Sequence, residues 1–261
     1  MSDKTLVTWR KEGATAVITI DNPPVNVIDD QVRAEMTKCL LEADADNEVI
    51  TIVITGAGEK ALMAGADIRT LPDLIKAPGG GYGLAKAGYA VWDLLESLAK
   101  PTIIAVNGLA LGGGCEMMLA CDIRIADEKA KIGLPEISLG FFPGGGGTQR
   151  LPKLVGKSKA KELMFTGAPI TADEALRIGL VNQVVPHGES LNAALAMAEK
   201  INAHSRVALG FIKELVNLSD LPIEEGLLHE AGRLEDAFHT DDAEEGVHAF
   251  LEKRPAKFQH K

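Results

Sequence analysis

Along roughly the first 190 residues, short β-branched runs alternate with stretches whose apolar positions recur at helical spacing. The runs are TAVITI (15–20), VITIVIT (49–55), TIIAV (102–106), IRIA (123–126) and GLVNQVV (179–185). Several are apolar at consecutive positions, so both faces of the strand are apolar, as in a sheet covered on both sides. Between them, 29–45 and 84–99 read as amphipathic helices, with shorter helical patterns at 158–165 and 172–178. This alternation predicts an α/β fold. From about residue 190 the strand signal stops, and 190–203, 205–218, 222–239 and 241–252 all read as amphipathic helices. The pattern predicts a core over 1–190 and a C-terminal helical region over 191–261 that covers the core or a neighbouring subunit. KAPGGGYG (76–83) reads as the one flexible internal loop.

With 261 residues, 46% hydrophobic and 25% charged, the composition is that of a soluble globular protein, one large domain with or without an appendage. A net charge of -10 argues against a nucleic-acid surface, where Lys and Arg dominate. The three cysteines, Cys39, Cys115 and Cys121, lack CxxC spacing, which predicts neither a disulfide framework nor a zinc site but a reducing compartment. The N-terminal MSDKTLVTWRKEG has no apolar signal core, and no apolar run approaches the ~18–20 residues that span a bilayer. The expected location is cytoplasmic, with no membrane partner.

Several familiar motifs fail on spacing. LPKLVGKS ends like a phosphate-binding loop, but the required first glycine falls on Leu151. Gly112-x-Gly114 is followed by Met117 rather than a third glycine, so a dinucleotide fingerprint is absent. No serine lies in GxSxG, and all six histidines fall at 187 or later without ligand spacing. No metal is expected.

Three segments share one design. ALMAGADI (61–68) and NGLALGGGCE (107–116) each follow an apolar run with small residues where the chain must turn, and the second leads into a short helix. LPEISLGFFPGGGGTQRL (134–151) ends at a helix start. Glycines at such starts let a ligand approach amides that lack intrahelical partners, at the end where the dipole favours negative charge. Amides from two such turns form an oxyanion hole. Glu116 and Glu136 each sit among apolar residues, and two carboxyls in one apolar site are pushed to different pKa values, which suits acid–base work. Each feature also has a plain structural reading: a dipole-stabilised acid in a first helical turn for Glu116, a loop carboxylate capping an amide for Glu136, and tight turns for the glycines.

Taken together, DNPPVNVI (21–28), ALMAGADI (61–68), NGLALGGGCEMMLACDIRIA (107–126), LPEISLGFFPGGGGTQRLPKLVG (134–156) and TGAPITADEALRIGLVNQVV (166–185) resemble the crotonase superfamily, specifically its enoyl-CoA hydratases. The resemblance runs from about residue 5 to the end, where DDAEEGVHAFLEKRPAKF (241–258) is also family-like. It implies a crotonase/Clp-protease-like spiral of ββα turns with a C-terminal helical extension that trimerises and covers the active site. It implies homotrimers or hexamers built as dimers of trimers, an acyl-CoA thioester as substrate, and no cofactor beyond the CoA of that substrate.

The same resemblance places the thioester oxygen between the amides of Ala66 and Gly113, and CoA along Ala64, Ala66, Asp67, Ile68, Leu111, Gly112 and Gly113. It makes Glu116 the base toward water and Glu136 the acid toward the α-carbon. Lys253 or Lys257 is the candidate for the CoA phosphates. Hydratases of the family keep both glutamates, whereas double-bond isomerases typically keep only the later one, so water addition to trans-2-enoyl-CoA is the expected reaction. An isomerase or another lyase on the same scaffold is the alternative, with an RNA-binding or catalytically inactive partner subunit a remote one. The sequence departs from the family in the unbroken glycine run of FFPGGGGT, and the segment 71–88 falls where acyl-chain selection lies.

Overall fold

The computed structural model describes residues 4–260. Strands β1 (Val7–Glu12) and β2 (Thr15–Ile20) form an antiparallel hairpin whose turn uses Gly13 in the left-handed region. Helix α1 (Asp30–Ala45) begins where the Asp29 carboxylate accepts a hydrogen bond from the Val32 amide at 2.8 Å, capping a free donor of the first turn. At its other end the buried Lys100 ammonium donates to the carbonyls of Ala43, Asp44 and Asp46, satisfying acceptors that the helix leaves open.

Three successive repeats follow, each with one long strand, one short strand and a helical segment. The first holds β3 (Thr51–Gly56), β4 (Ala61–Ala64), a 3-10 turn (Ile68–Thr70), α2 (Leu71–Lys76) and α3 (Gly80–Ser97). The second holds β5 (Thr102–Val106), β6 (Leu109–Leu111) and α4 (Gly113–Leu119). The third holds β7 (Ile123–Asp127), β8 (Lys131–Gly133), a 3-10 turn (Pro135–Leu139), α5 (Gly147–Val155) and α6 (Lys157–Thr166). Then come β9 (Ile170–Thr171), α7 (Ala172–Arg177), β10 (Gln183–Val185) and the helices α8 (Ser190–Asn202), α9 (Arg206–Asn217), α10 (Ile223–Phe238) and α11 (Asp241–Glu252).

The long strands stack as one sheet in the order β1-β2-β3-β5-β7-β10, parallel from β2 onward, and the short ones as β4-β6-β8-β9. Each repeat thus advances both sheets by one strand, which is the expected spiral. Because side chains alternate along a strand, Ile52, Ile54, Ile104 and Val106 enter the main core with Leu40 and Trp92. Their neighbours Val53, Ile103, Ala105 and Ile125 face the other way, onto Ala194 and Ala198 of α8. Burial on both faces accounts for the continuous apolar runs, at about 1.5–3 kcal/mol per large side chain.

Two sequence expectations change. The segment 76–83 is not a loop throughout: α3 starts at Gly80, and the buried Val91, Trp92 and Leu95 hold that helix against the core. Packing of one face outweighs the helix penalty of its glycines, about 1 kcal/mol each. Within 179–185 only Gln183–Val185 is strand, because Gly179 turns the chain at φ +76 and the Asn182 side chain accepts from the Arg124 amide.

Beyond residue 190, α8 lies on the long sheet as part of its second layer. Helix α9 is fastened by the buried Lys213, whose ammonium pairs with Asp122 at 2.9 Å. Helices α10 and α11 expose Leu228, Phe238 and Phe250. Among the described residues no helix is long and apolar enough to cross a membrane.

Candidate active site

The second strand–turn–helix unit explains its three glycines one at a time. Gly112 leaves β6 at φ +54 and ψ -122, a conformation that an L side chain rarely adopts. Gly113 is the first residue of α4, so its amide has no intrahelical acceptor. Gly114 lies flat against β4, where a Cβ would overlap the Met63 carbonyl oxygen.

The first unit delivers the partner amide. Ile28 bridges residue 66 in parallel fashion: the Ile28 amide donates to Gly65 O at 2.9 Å, and the Asp67 amide to Ile28 O at 3.1 Å. In a parallel bridge of this kind the residue in the middle, Ala66, turns its own N–H to the opposite side. Strands β4 and β6 pair through Ala64 and Leu111, and Gly65 Cα lies 3.5 Å from where a Gly112 side chain would begin. The turns carrying the Ala66 and Gly113 amides are therefore neighbours.

One turn into α4, Glu116 is buried, 5% exposed. Its Oε1 accepts hydrogen bonds from the Gly145 amide at 2.7 Å and the Gly147 amide at 3.0 Å. Gly147 opens α5, so the carboxylate sits at that helix's positive end as well as in the first turn of its own. The glycine run also clears the space: a Cβ on Gly145 would meet Glu116 Oε2. Burial raises the Glu116 carboxyl above the usual carboxylate range, and the Gly147 and Gly145 amides and the Arg150 guanidinium offset only part of that rise.

Glu136 comes from the 3-10 turn after β8. Its Oε1 stands 3.0 Å from where a Gly112 side chain would begin, and its Oε2 is buried without a hydrogen bond. Burial lifts this carboxyl to about 7, and the charge of Glu116 adds to the rise. Burial thus raises both carboxyls, and their hydrogen bonding sets them apart. One is gripped by two donors that favour the anion, and the other carries an unpaired oxygen and favours the proton.

A family model described as "Enoyl-CoA hydratase/isomerase" matches residues 10–261. The chain belongs to the enoyl-CoA hydratase/isomerase family. It is 44% identical over 250 residues to the short-chain-enoyl-CoA hydratase of Clostridium acetobutylicum, covering 95% of each chain. It is 42% identical over 250 residues to the crotonyl-CoA hydratase of Syntrophomonas wolfei, again covering 95% of each. A crystal structure of enoyl-CoA hydratase from Bacillus anthracis superposes with a TM-score of 0.93 at 35% identity, covering 98% of this chain and 100% of that one. The fold is accordingly the crotonase fold of this family.

Of the other residues singled out in the sequence, Ala64 and Leu111 form the pairing that holds the two turns together. Asp67 is committed locally: it caps the 3-10 turn by accepting from the Arg69 amide and pairs with the Arg69 guanidinium at 2.7 Å. Ile68 is exposed beside it. Lys253 and Lys257 lie at and beyond the end of α11, where Lys253 caps the helix in a left-handed conformation and the Lys257 amide donates to Glu245. Three contributors escaped sequence reasoning: the Gly145 and Gly147 amides as donors to Glu116, Ile28 as the strut behind Ala66, and Arg150 beneath the glycine run. Four glycines before a helix are the only trace of the first.

Proposed function

We propose that the protein adds water reversibly to trans-2-enoyl-CoA thioesters, giving 3-hydroxyacyl-CoA. The observation that carries the reading is a pair of buried carboxyls, one held by two amides and one with an unpaired oxygen, beside the neighbouring Ala66 and Gly113 turns. The thioester oxygen is held by the Ala66 and Gly113 amides, which stabilise the negative charge that develops as the enolate forms. CoA itself lies along Ala64 to Ile68 and Leu111 to Gly113. Glu116, held by the Gly145 and Gly147 amides, takes a proton from water as the water oxygen bonds to the β-carbon. Glu136, protonated, gives its proton to the α-carbon. The sum is one water added, with no electrons gained or lost, so the reaction needs no redox group. Relatives named for short-chain and crotonyl substrates favour short acyl chains.

The exposed Leu228, Phe238 and Phe250 of α10 and α11 support assembly into trimers or pairs of trimers, measurable by light scattering. Three unpaired, buried cysteines fit a cytoplasmic setting. The reaction is tested by incubating the purified chain with crotonyl-CoA and, separately, with a 3-enoyl-CoA. Appearance of 3-hydroxybutyryl-CoA from the first supports hydration. Migration of the double bond without water uptake would replace it with an isomerase.

A further inference from the structure

Arg150 lies on the first turns of α5, directly behind the residues that grip Glu116. Its Nε donates to Glu96 at 3.0 Å, and its Nη2 donates to Glu96 at 2.7 Å and to Asp93 at 2.8 Å, both carboxylates belonging to α3. The guanidinium is largely buried, 12% exposed, while Asp93 is 67% exposed and Glu96 44%. Its Nη1 packs under the glycine run so closely that a Cβ on Gly146 would overlap it. Gly146 stands between the two residues whose amides hold the Glu116 carboxylate. An arginine fork is planar and fixed by its two acceptors, so it locates whatever packs on it better than a lysine does.

We propose that Arg150 is a positioning residue for Glu116: clamped to α3, it fixes the glycine turn that grips the carboxylate and places a cation on that side of it. This inference rests on the hydratase reading above and assigns the residue that holds the proposed base in its working state. The groups around the Glu116 carboxyl are few. Glu136 faces it from the 3-10 turn after β8, Cys115 adjoins it on α4, Arg150 stands behind it on α5, and α3 contributes Asp93 and Glu96 beyond Arg150. Strands β4 and β6, which also pack on α4, bring only apolar side chains. Arg150 is the one cation in this group, and it favours the anionic form of Glu116.

The test uses Arg150→Met and Arg150→Lys in the full chain, with crotonyl-CoA hydration followed from acid to alkaline pH. Arg150→Met leaves Asp93 and Glu96 free to be hydrated, so the variant is expected to fold. Its kcat should fall on the order of 10- to 100-fold, the scale of a misplaced catalytic group, with KM little changed. The acid limb of its kcat/KM profile should move to higher pH, because the base then holds its proton more tightly. Arg150→Lys keeps the charge and should bring the limb back toward that of the wild type while recovering only part of kcat. Should Arg150→Met not fold, Glu96→Gln carries the test: it leaves the cation less neutralised and should move the limb to lower pH. An unmoved acid limb in folded Arg150→Met, or equal losses in Met and Lys, would overturn the proposal and leave Arg150 a structural clamp only. Glu116→Gln separates the two levels: full activity there defeats the hydratase reading itself, whereas an inactive Glu116→Gln beside an unmoved limb defeats only the role of Arg150.

Discussion

Glu136→Gln keeps the shape of the side chain and removes its proton chemistry, so it reads out the burial of this carboxyl directly. The folded-state value is lifted from 4.5 to about 7, whereas the unfolded chain titrates near the usual carboxylate value. Below both values the group is protonated in either state and costs nothing. As pH rises through that window the unfolded chain releases a proton that the folded protein retains, so stability falls with pH and the full cost is present above about 7. At ~1.36 kcal/mol per decade the lift corresponds to roughly 3 kcal/mol at most. The side chain is partly exposed, and solvent screening reduces this to about 1–2 kcal/mol. For a chain of this size each kcal/mol moves Tm by about 2–4 °C. Glu136→Gln should therefore melt about 2–8 °C above the wild type at pH ~8, with the gap closing toward pH ~5. Thermal unfolding at the two pH values, with hydration activity measured in parallel, gives the answer. A gap independent of pH, or one that widens toward acid, would refute the burial of Glu136 as described. A variant that gains stability while losing activity is the pattern expected of a strained functional group.

Further expectations follow from the glycines and from the same carboxyl. Gly113→Pro removes one amide at a first helical position, where proline is tolerated; it should lower kcat on the order of 10²- to 10³-fold, while binding of a saturated acyl-CoA changes far less in calorimetry. Gly114→Ala pushes a methyl into the Met63 carbonyl and should cost at least about 1–3 kcal/mol in urea unfolding, since backbone meets backbone. Gly145→Ala drives a methyl against the Glu116 carboxylate that the two amides hold, so its kcat should fall on the order of 10²-fold, and turnover within a few-fold of wild type would contradict this. Wild-type hydration should decline as pH rises through about 7, where Glu136 gives up its proton, visible as the alkaline limb of kcat/KM.

The long-sheet strands were legible because burial on both faces writes continuous apolar runs, as in Thr51–Gly56 and Thr102–Val106. Strands such as β6 and β8, three residues each, are too short to show a period, and they exist because each long strand sets the register of the next turn. Strand β1 went unread because only Val7 and Trp9 of VTWRKE are apolar, too few to show a period, and the strand is held by pairing with β2. At the site, Glu116 and Glu136 announced themselves as carboxylates among apolar residues. What sequence could not supply was the through-space geometry: that Gly145 and Gly147 donate to Glu116, that Glu136 stops at Gly112, and that Arg150 lies beneath Gly146. Those contacts join residues about 25–30 positions apart or bind through the backbone, where side-chain identity carries no mark.

The central claim is that one gripped and one protonated carboxyl together add water across an enoyl thioester. Its most direct test is the turnover of crotonyl-CoA by Glu116→Gln and Glu136→Gln, each shown to be folded and to bind a saturated acyl-CoA as the wild type does. Each variant should lose on the order of 10²- to 10⁴-fold in kcat, the usual weight of a positioned acid or base. Near wild-type turnover by either folded variant would contradict the account.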